Sequence, residues 1–490
     1  MAGRFVRSSK YRHVFGTASK PDQQFTSIRG INDGATDGHI CAVNPKFVAV
    51  ATKPSGGGAF LVLKHDEAGR IDNEHPQVRG HKGKVLDLAW DPFDDNVIAS
   101  GDEHSIVCVW EIPDSGLTES ITEPRVTLDC HQKKIVKILW HPTARNILLT
   151  SAWDCKVIIW NLETVEGFLE IETPDVPYSV DWDYNGSRIV VACKDKKIRV
   201  YDSHEGTKLS EWNGHEGTKP QMVAFTKQGV LTTGFSKMST REYALWNEKT
   251  GEQLAQEDLD SSNGVNQIIY DRDTGMFYFA AKGDSVIRYY EMTGEDPFLF
   301  YLSTYQAKPQ TAVGIMPKRG CNVNACEVMR FYRIEKADKG NTSQFVIIPT
   351  AMTVPRKSET FQEDIFPDTP GDEPSMTAEE FQSGKNKDPI LMSLKSGYKP
   401  KEKSVRAGGI MKKVDGGSQL GSKMQSKGLS GDKSGSGAGQ STATGAASTE
   451  LSALKDEVNS LKATVESQQA KIEALEGKLE ELAGKVNQTE

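Results

Sequence analysis

Three groups of residues in this 490-residue chain are of types and spacings that could do chemistry. His131, Thr150 and Asp154 supply an imidazole, a hydroxyl and a carboxylate, the types that make a base, a nucleophile and an orienting acid. Their spacing points elsewhere. Thr150 stands ten residues and Asp154 six residues before Trp160. A hydroxyl and a carboxylate at fixed offsets from an indole read as a buried hydrogen-bond network, and the histidine as its structural partner. Gly56–Gly58 has the composition of a phosphate-cradling loop, but no Gly-Lys-Ser/Thr follows it. The seven cysteines are odd in number and widely spread, without a CxxC pair, and Cys321 and Cys326 have no second ligand pair nearby. They read as reduced thiols buried in apolar strands, with a cytosolic location. No catalytic set, cofactor site or metal site is expected.

The elements that hold these residues repeat. Val85–Trp90, Val97–Ser100 and Ser105–Trp110 are followed by Ile135–Trp140, Ile147–Thr150 and Lys156–Trp160, then by Tyr178–Trp182, Arg188–Ala192 and Lys197–Tyr201. Weaker copies end at Trp246 and Tyr290, so the terminal aromatics 110, 160, 201, 246 and 290 are spaced by 50, 41, 45 and 44 residues. Short β-branched runs at this period indicate a WD-repeat β-propeller. Counting outward from Cys41–Val43 and Arg330–Ile334 predicts seven blades, with the strand around Arg12–Phe15 closing the last one and hiding its edge. The copy holding His131, Thr150, Asp154 and Trp160 is expected to carry the complete network. The copy before it has His81, Ser100 and Trp110, but His104 where the acid is expected; the copy after it keeps Asp195 but has Val191 and Tyr201.

Composition divides the rest of the chain. Hydrophobic residues make up only 37% of it, and the net charge is −8. Residues 396–449 carry +6, with twelve glycines and ten serines in 54 positions, which reads as a basic, disordered linker without a core. From Leu451 apolar residues recur at 3,4 spacing: Leu451, Leu454, Val458, Leu461, Val465, Gln468, Ile472, Leu475, Leu479, Leu482 and Val486, with Gln468 the polar exception. Five such heptads predict an α-helical coiled coil over 450–487 that joins copies of the chain, as a dimer or a trimer. The propeller is expected over 1–355, with a C-terminal extension over 356–395. In that extension Thr377–Glu380 is a capping box opening a short helix at Phe381. No run approaches the length of a membrane span, so stable membrane insertion is not expected. Residues 1–395 carry −10, which disfavours nucleic acid.

Several blocks carry a more specific likeness. Ser8–Gly16 (SSKYRHVFG), Cys41–Phe47 (CAVNPKF), Gly56–Leu63 (GGGAFLVL), Gly234–Ser239 (GFSKMS), Lys282–Tyr290 (KGDSVIRYY), Met316–Gly320 (MPKRG) and Val354–Ser358 (VPRKS) resemble coronin, in one fixed order over residues 1 to about 398. The resemblance implies a cytoplasmic, actin-filament-binding protein of the cell cortex that cross-links filaments. It also implies a coiled-coil tail acting on the actin-related-protein branching complex, cooperation with cofilin in filament turnover, and an extension that packs across the propeller base. Arg29 stands where the family carries a filament-binding arginine. Because actin is acidic and residues 1–395 carry −10, binding needs a local basic patch. Arg4, Arg7, Lys10, Arg12 and Lys20 are its sequence-near candidates. The competing expectation is a WD-repeat scaffold or adaptor unconnected with actin.

Overall fold

The computed structural model describes residues 9–34, 38–53, 57–129, 131–337, 344–357 and 360–399. The expected coiled coil lies outside these residues, as do all but the first four residues of the expected linker, and Arg4 and Arg7.

Among the described residues, successive antiparallel sheets form seven blades: residues 41–81, 85–128, 135–172, 177–213, 222–260, 266–306, and a last blade that starts at 310. The second strand of each blade lies between two neighbours, and in blades one to three it is buried at every position: Phe47–Thr52, Val97–Asp102 and Ile147–Ala152. Outermost strands such as Glu166–Glu172 and Gln253–Asp260 carry charges at many positions and are largely exposed. The core is therefore divided among the blade interfaces. Val97, Ala99, Val107 and Val109 of blade two, for example, pack on Ile135, Ile138, Leu148 and Trp160 of blade three. That division explains how a chain only 37% hydrophobic sustains a large ring.

Blade seven is closed by the N-terminal residues, with the closing strand beginning at Phe15, where the expected one ended. Arg12 sits in a turn. The pairing strands are Phe15–Ala18 and Phe25–Arg29, and both lie along the ten-residue strand Gln344–Thr353. Phe15 pairs with Thr353 and Ala18 with Thr350; then Phe25 pairs with Ile347 and Arg29 with Gln344. Ser27, at φ 63°, breaks the register of the second strand.

Residues 360–399 cross the face that carries the connections between first and second strands, here called the base. The capping box forms, but it opens the helix at Ala378 rather than at Phe381, because Thr377 itself is the N-cap. Its hydroxyl accepts from Glu380 N at 3.2 Å, and the Glu380 carboxylate accepts from Thr377 N at 3.3 Å. Phe381 is thereby driven into the base, edge-on to Trp182 and His141. Burial there pushes the His141 imidazole down to about 3, so it stays neutral. Further along, Ile365, Phe366 and Leu394 join the core of blades six and seven.

Candidate functional site

The residues with catalytic potential are consumed by the blades. Trp160 Nε1 donates to Thr150 Oγ1 at 2.8 Å, Thr150 Oγ1 lies 2.8 Å from His131 Nε2, and His131 Nδ1 lies 3.0 Å from Asp154 Oδ2. Each donor meets one acceptor: indole to hydroxyl, hydroxyl to imidazole, imidazole to carboxylate. Desolvation pushes the His131 imidazole below its usual range. His131 follows the outer strand of blade two, Val126–Leu128, so the network fastens one blade to the next.

Blade two holds a similar set in which the imidazole-to-acid link is a close contact without hydrogen-bond geometry. His81 Nε2 lies 2.6 Å from Ser100 Oγ, which accepts from Trp110 Nε1 at 2.7 Å. The acid is Asp102, 3.2 Å from His81 Nδ1, and not the His104 position. It lies two residues nearer its hydroxyl than Asp154 does and is still in the strand. Blade five carries a third set that the repeat pattern missed. His215 lies 2.7 Å from both Thr232 Oγ1 and Glu242 Oε1, and Trp246 Nε1 donates to Thr232 at 2.8 Å. Its hydroxyl stands fourteen residues before the tryptophan and its acid is a glutamate. The recoverable signal was Gly214-His215, which repeats Gly80-His81. In blade four the acid is held differently: Arg199 of the third strand pairs with Asp195 and, through Nε, with Glu211 at 2.9 Å. Replacing Thr150 with valine strands both the indole and the imidazole in a dry site. We expect a loss of about 2–4 kcal/mol in urea unfolding, with Thr150→Ser retaining most of the stability.

The basic candidates are not one cluster. Arg29 ends the strand paired to Gln344, whereas Lys10 and Arg12 precede the residue paired to Thr353. Nine strand steps at about 3.3 Å separate the two ends by roughly 30 Å. Lys10 turns to the base, donating to the Asp364 carbonyl at 3.1 Å. Arg12 and Lys20 are exposed.

What surrounds Arg29 comes instead from distant segments. Gly30, at φ +67°, turns the chain so that its carbonyl accepts from Lys53 N at 2.5 Å. Asp33 accepts from Lys53 Nζ at 2.6 Å and lies 3.8 Å from Lys336 Nζ. Those two cations hold its carboxyl below the usual range. Lys282 donates to the Gly34 carbonyl. Lys53 and Lys336 thus meet at Asp33 and Lys282 at the adjoining Gly34 carbonyl, just beyond the strand that ends at Arg29. Arg29 is exposed and, among the described residues, forms no ion pair.

Residues 74–111, 122–161 and 170–202 match the WD domain, G-beta repeat, and residues 347–389 match a type of WD40 repeat. Residues 4–70 match a domain of unknown function (DUF1899), which spans Arg29 and the closing strands. Human Coronin-2A is 44% identical over 401 residues, covering 80% of this chain and 75% of its own. Coronin-2A of Bos taurus is 43% identical over 404 residues with the same coverage. Among solved structures, the WD40 domain of Toxoplasma gondii coronin superposes with a TM-score of 0.73 at 28% identity, covering 78% of this chain and 97% of that one. Fold, ring closure and sequence agree: the chain belongs to the coronin family.

Proposed function

We propose that this coronin binds and cross-links actin filaments, with the upper rim of the closing blade as the contact and Arg29 at its centre. The observation that carries the reading is local charge. Residues 1–395 carry −10, yet Lys53 and Lys336 meet at Asp33, Lys282 joins at the Gly34 carbonyl, and Arg29 ends the strand that leads into this turn. Arg29 among them has no carboxylate partner in the described residues. An acidic filament is repelled by the body as a whole and attracted to that rim. Lys10 and Arg12, at the other end of the blade, take a lesser part, and Arg4, Arg7 and Lys20 remain secondary candidates. Co-sedimentation of the full chain with filaments tests the reading, and a chain left in the supernatant refutes it.

Cross-linking needs more than one filament-binding head. We assign self-association to 450–487, the flexible spacing to 396–449 and the folded body to 1–355 with its 356–395 extension. The same tail is assigned to regulating the actin-related-protein branching complex, and turnover with cofilin to the assembled protein at the cytoplasmic cortex. Light scattering on the full chain is expected to give two or three times the 53.9 kDa chain mass. Replacing Leu461 and Leu475 together by Asp should return it to one. A single-chain mass for the parent overturns the assignment.

A further inference from the structure

The axis of the propeller encloses a cavity of about 880 Å³, within the size range of ligand pockets. At its upper end the cations are occupied: Lys53 by Asp33, Lys84 by Glu103 at 3.2 Å, and Lys134 by the Trp153 ring at 3.8 Å. Midway, Lys137 Nζ lies 2.8 Å from His39 Nδ1 and 3.9 Å from the buried Asp87 carboxylate.

The base end differs in two independent ways. The Arg272 guanidinium lies over the Tyr184 ring at 4.5 Å and near the Tyr270 ring at 5.9 Å. Among the described residues it forms no ion pair and no hydrogen bond. Trp182, 6% exposed, is the second. Its counterparts at the ends of the inner strands of blades two and three satisfy their indoles: Trp90 Nε1 donates to the Ala42 carbonyl at 3.1 Å, and Trp140 Nε1 to the Ala89 carbonyl at 2.9 Å. Trp182 Nε1 is buried without a partner. Both residues line the same cavity. A buried donor left unmet costs about 1–3 kcal/mol, and a guanidinium with tyrosines on its faces still presents its N–H edge.

The surroundings select the ligand. A guanidinium edge suits a carboxylate or a phosphate. The lining near this end also holds Asp183, the prolines Pro142, Pro370 and Pro389, and Asp181, whose carboxylate already feels Arg272 and Lys137, and it holds no second cation to balance a dianion. Arg188 lies outside the lining, 2.9 Å from Asp183. A singly charged carboxylate is therefore favoured. The indole N–H calls for a neutral acceptor, such as a peptide carbonyl, and the proline and aromatic wall calls for apolar flanks. We propose that the base end of the axial cavity is a peptide site, in which an acidic side chain takes Arg272 and a neighbouring backbone carbonyl takes Trp182 Nε1. It is independent of the filament-binding reading and lies on the other face of the ring.

The test uses the full chain labelled with 15N, observed in the indole region by NMR. The Trp182 signal is identified as the one missing from Trp182→Phe. The probe is the capped tripeptide acetyl-Pro-Glu-Leu-amide, compared with its Gln analogue and with inorganic phosphate. The Trp182 signal is expected to move saturably with the Glu peptide, at least tenfold more weakly with the Gln analogue, and at least tenfold more weakly in Arg272→Gln. Arg272→Lys, which keeps the charge and loses the fork, should weaken it threefold or more and supplies the comparison if Arg272→Gln melts early. An unmoved signal, equal response to the Gln peptide or to phosphate, or undiminished binding in both variants overturns the proposal. Unchanged filament co-sedimentation of the Arg272 variants separates this site from the upper rim.

Discussion

Replacing Phe25 with alanine is expected to remove about 3–5 kcal/mol of stability, a large share of the 5–15 kcal/mol typical of a folded domain. Phe25 is 1% exposed and pairs with Ile347. It belongs to a cluster that also holds Ile28, Phe345, Phe47 and Phe60, contributed by blades seven and one. The cavity would therefore open at the one seam where the ring is held by chain segments more than 300 residues apart. Nothing covalent compensates, since the cysteines named in the described residues are free. The measurement is the urea midpoint at constant slope. Leu209→Ala, on the outer strand of blade four and 53% exposed, serves as the control and should stay within about 0.5 kcal/mol. A Phe25→Ala loss under 1 kcal/mol would show that closure contributes little.

Arg29→Asp is expected to weaken filament co-sedimentation ten- to a hundredfold, about 1.4–2.8 kcal/mol, while the thermal midpoint stays that of the parent. Both halves follow from position. The side chain is exposed and without a carboxylate partner, so the fold does not draw on it. Reversing its sign four residues from Asp33 puts a second acid at this strand end, against Lys53, Lys282 and Lys336. Because the pairing would be at an exposed rim, parent binding should also fall between 50 and 200 mM salt. Lys10→Asp and Arg12→Asp, roughly 30 Å away by strand length, should cost less than threefold. Equal losses from those two would make the effect one of net charge, and unchanged binding by Arg29→Asp would refute the assignment.

The fold was largely legible because a blade writes its period into the chain. Trp110, Trp160 and Trp246 each end on a hydroxyl, and inner strands such as Ile135–Trp140 announce themselves by β-branched runs. Where reading failed, the cause was local. Glu242 lies beyond a second-to-third connection four residues longer than in blades two and three, whereas Asp102 supplies its acid from the second strand itself, with the hydroxyl-to-tryptophan spacing unchanged at ten residues. The site was less legible. Proximity in sequence grouped Lys10, Arg12 and Arg29, whereas an extended strand carries its ends far apart. Lys53, Lys282 and Lys336 reach the Asp33–Gly34 turn that follows Arg29 only through the fold of the ring, which no short-range pattern encodes. Arg272 and Trp182 were invisible for a related reason: their significance lies in the partners they lack.

Ring closure also has a consequence for synthesis. Phe15 pairs with Thr353, so the first strand to leave the ribosome waits for the last. At 5–20 residues per second, that wait is roughly 20–70 s. During it Phe25 and Ile28 lack their partner strand Gln344–Thr353, and blade after blade accumulates with an open edge at each end. Contacts of such long sequence separation also slow the final step after release. The nascent chain is therefore most vulnerable to edge-to-edge association just before residue 353 emerges, and a fusion partner that holds residues 15–29 elsewhere would prolong that interval for every molecule made.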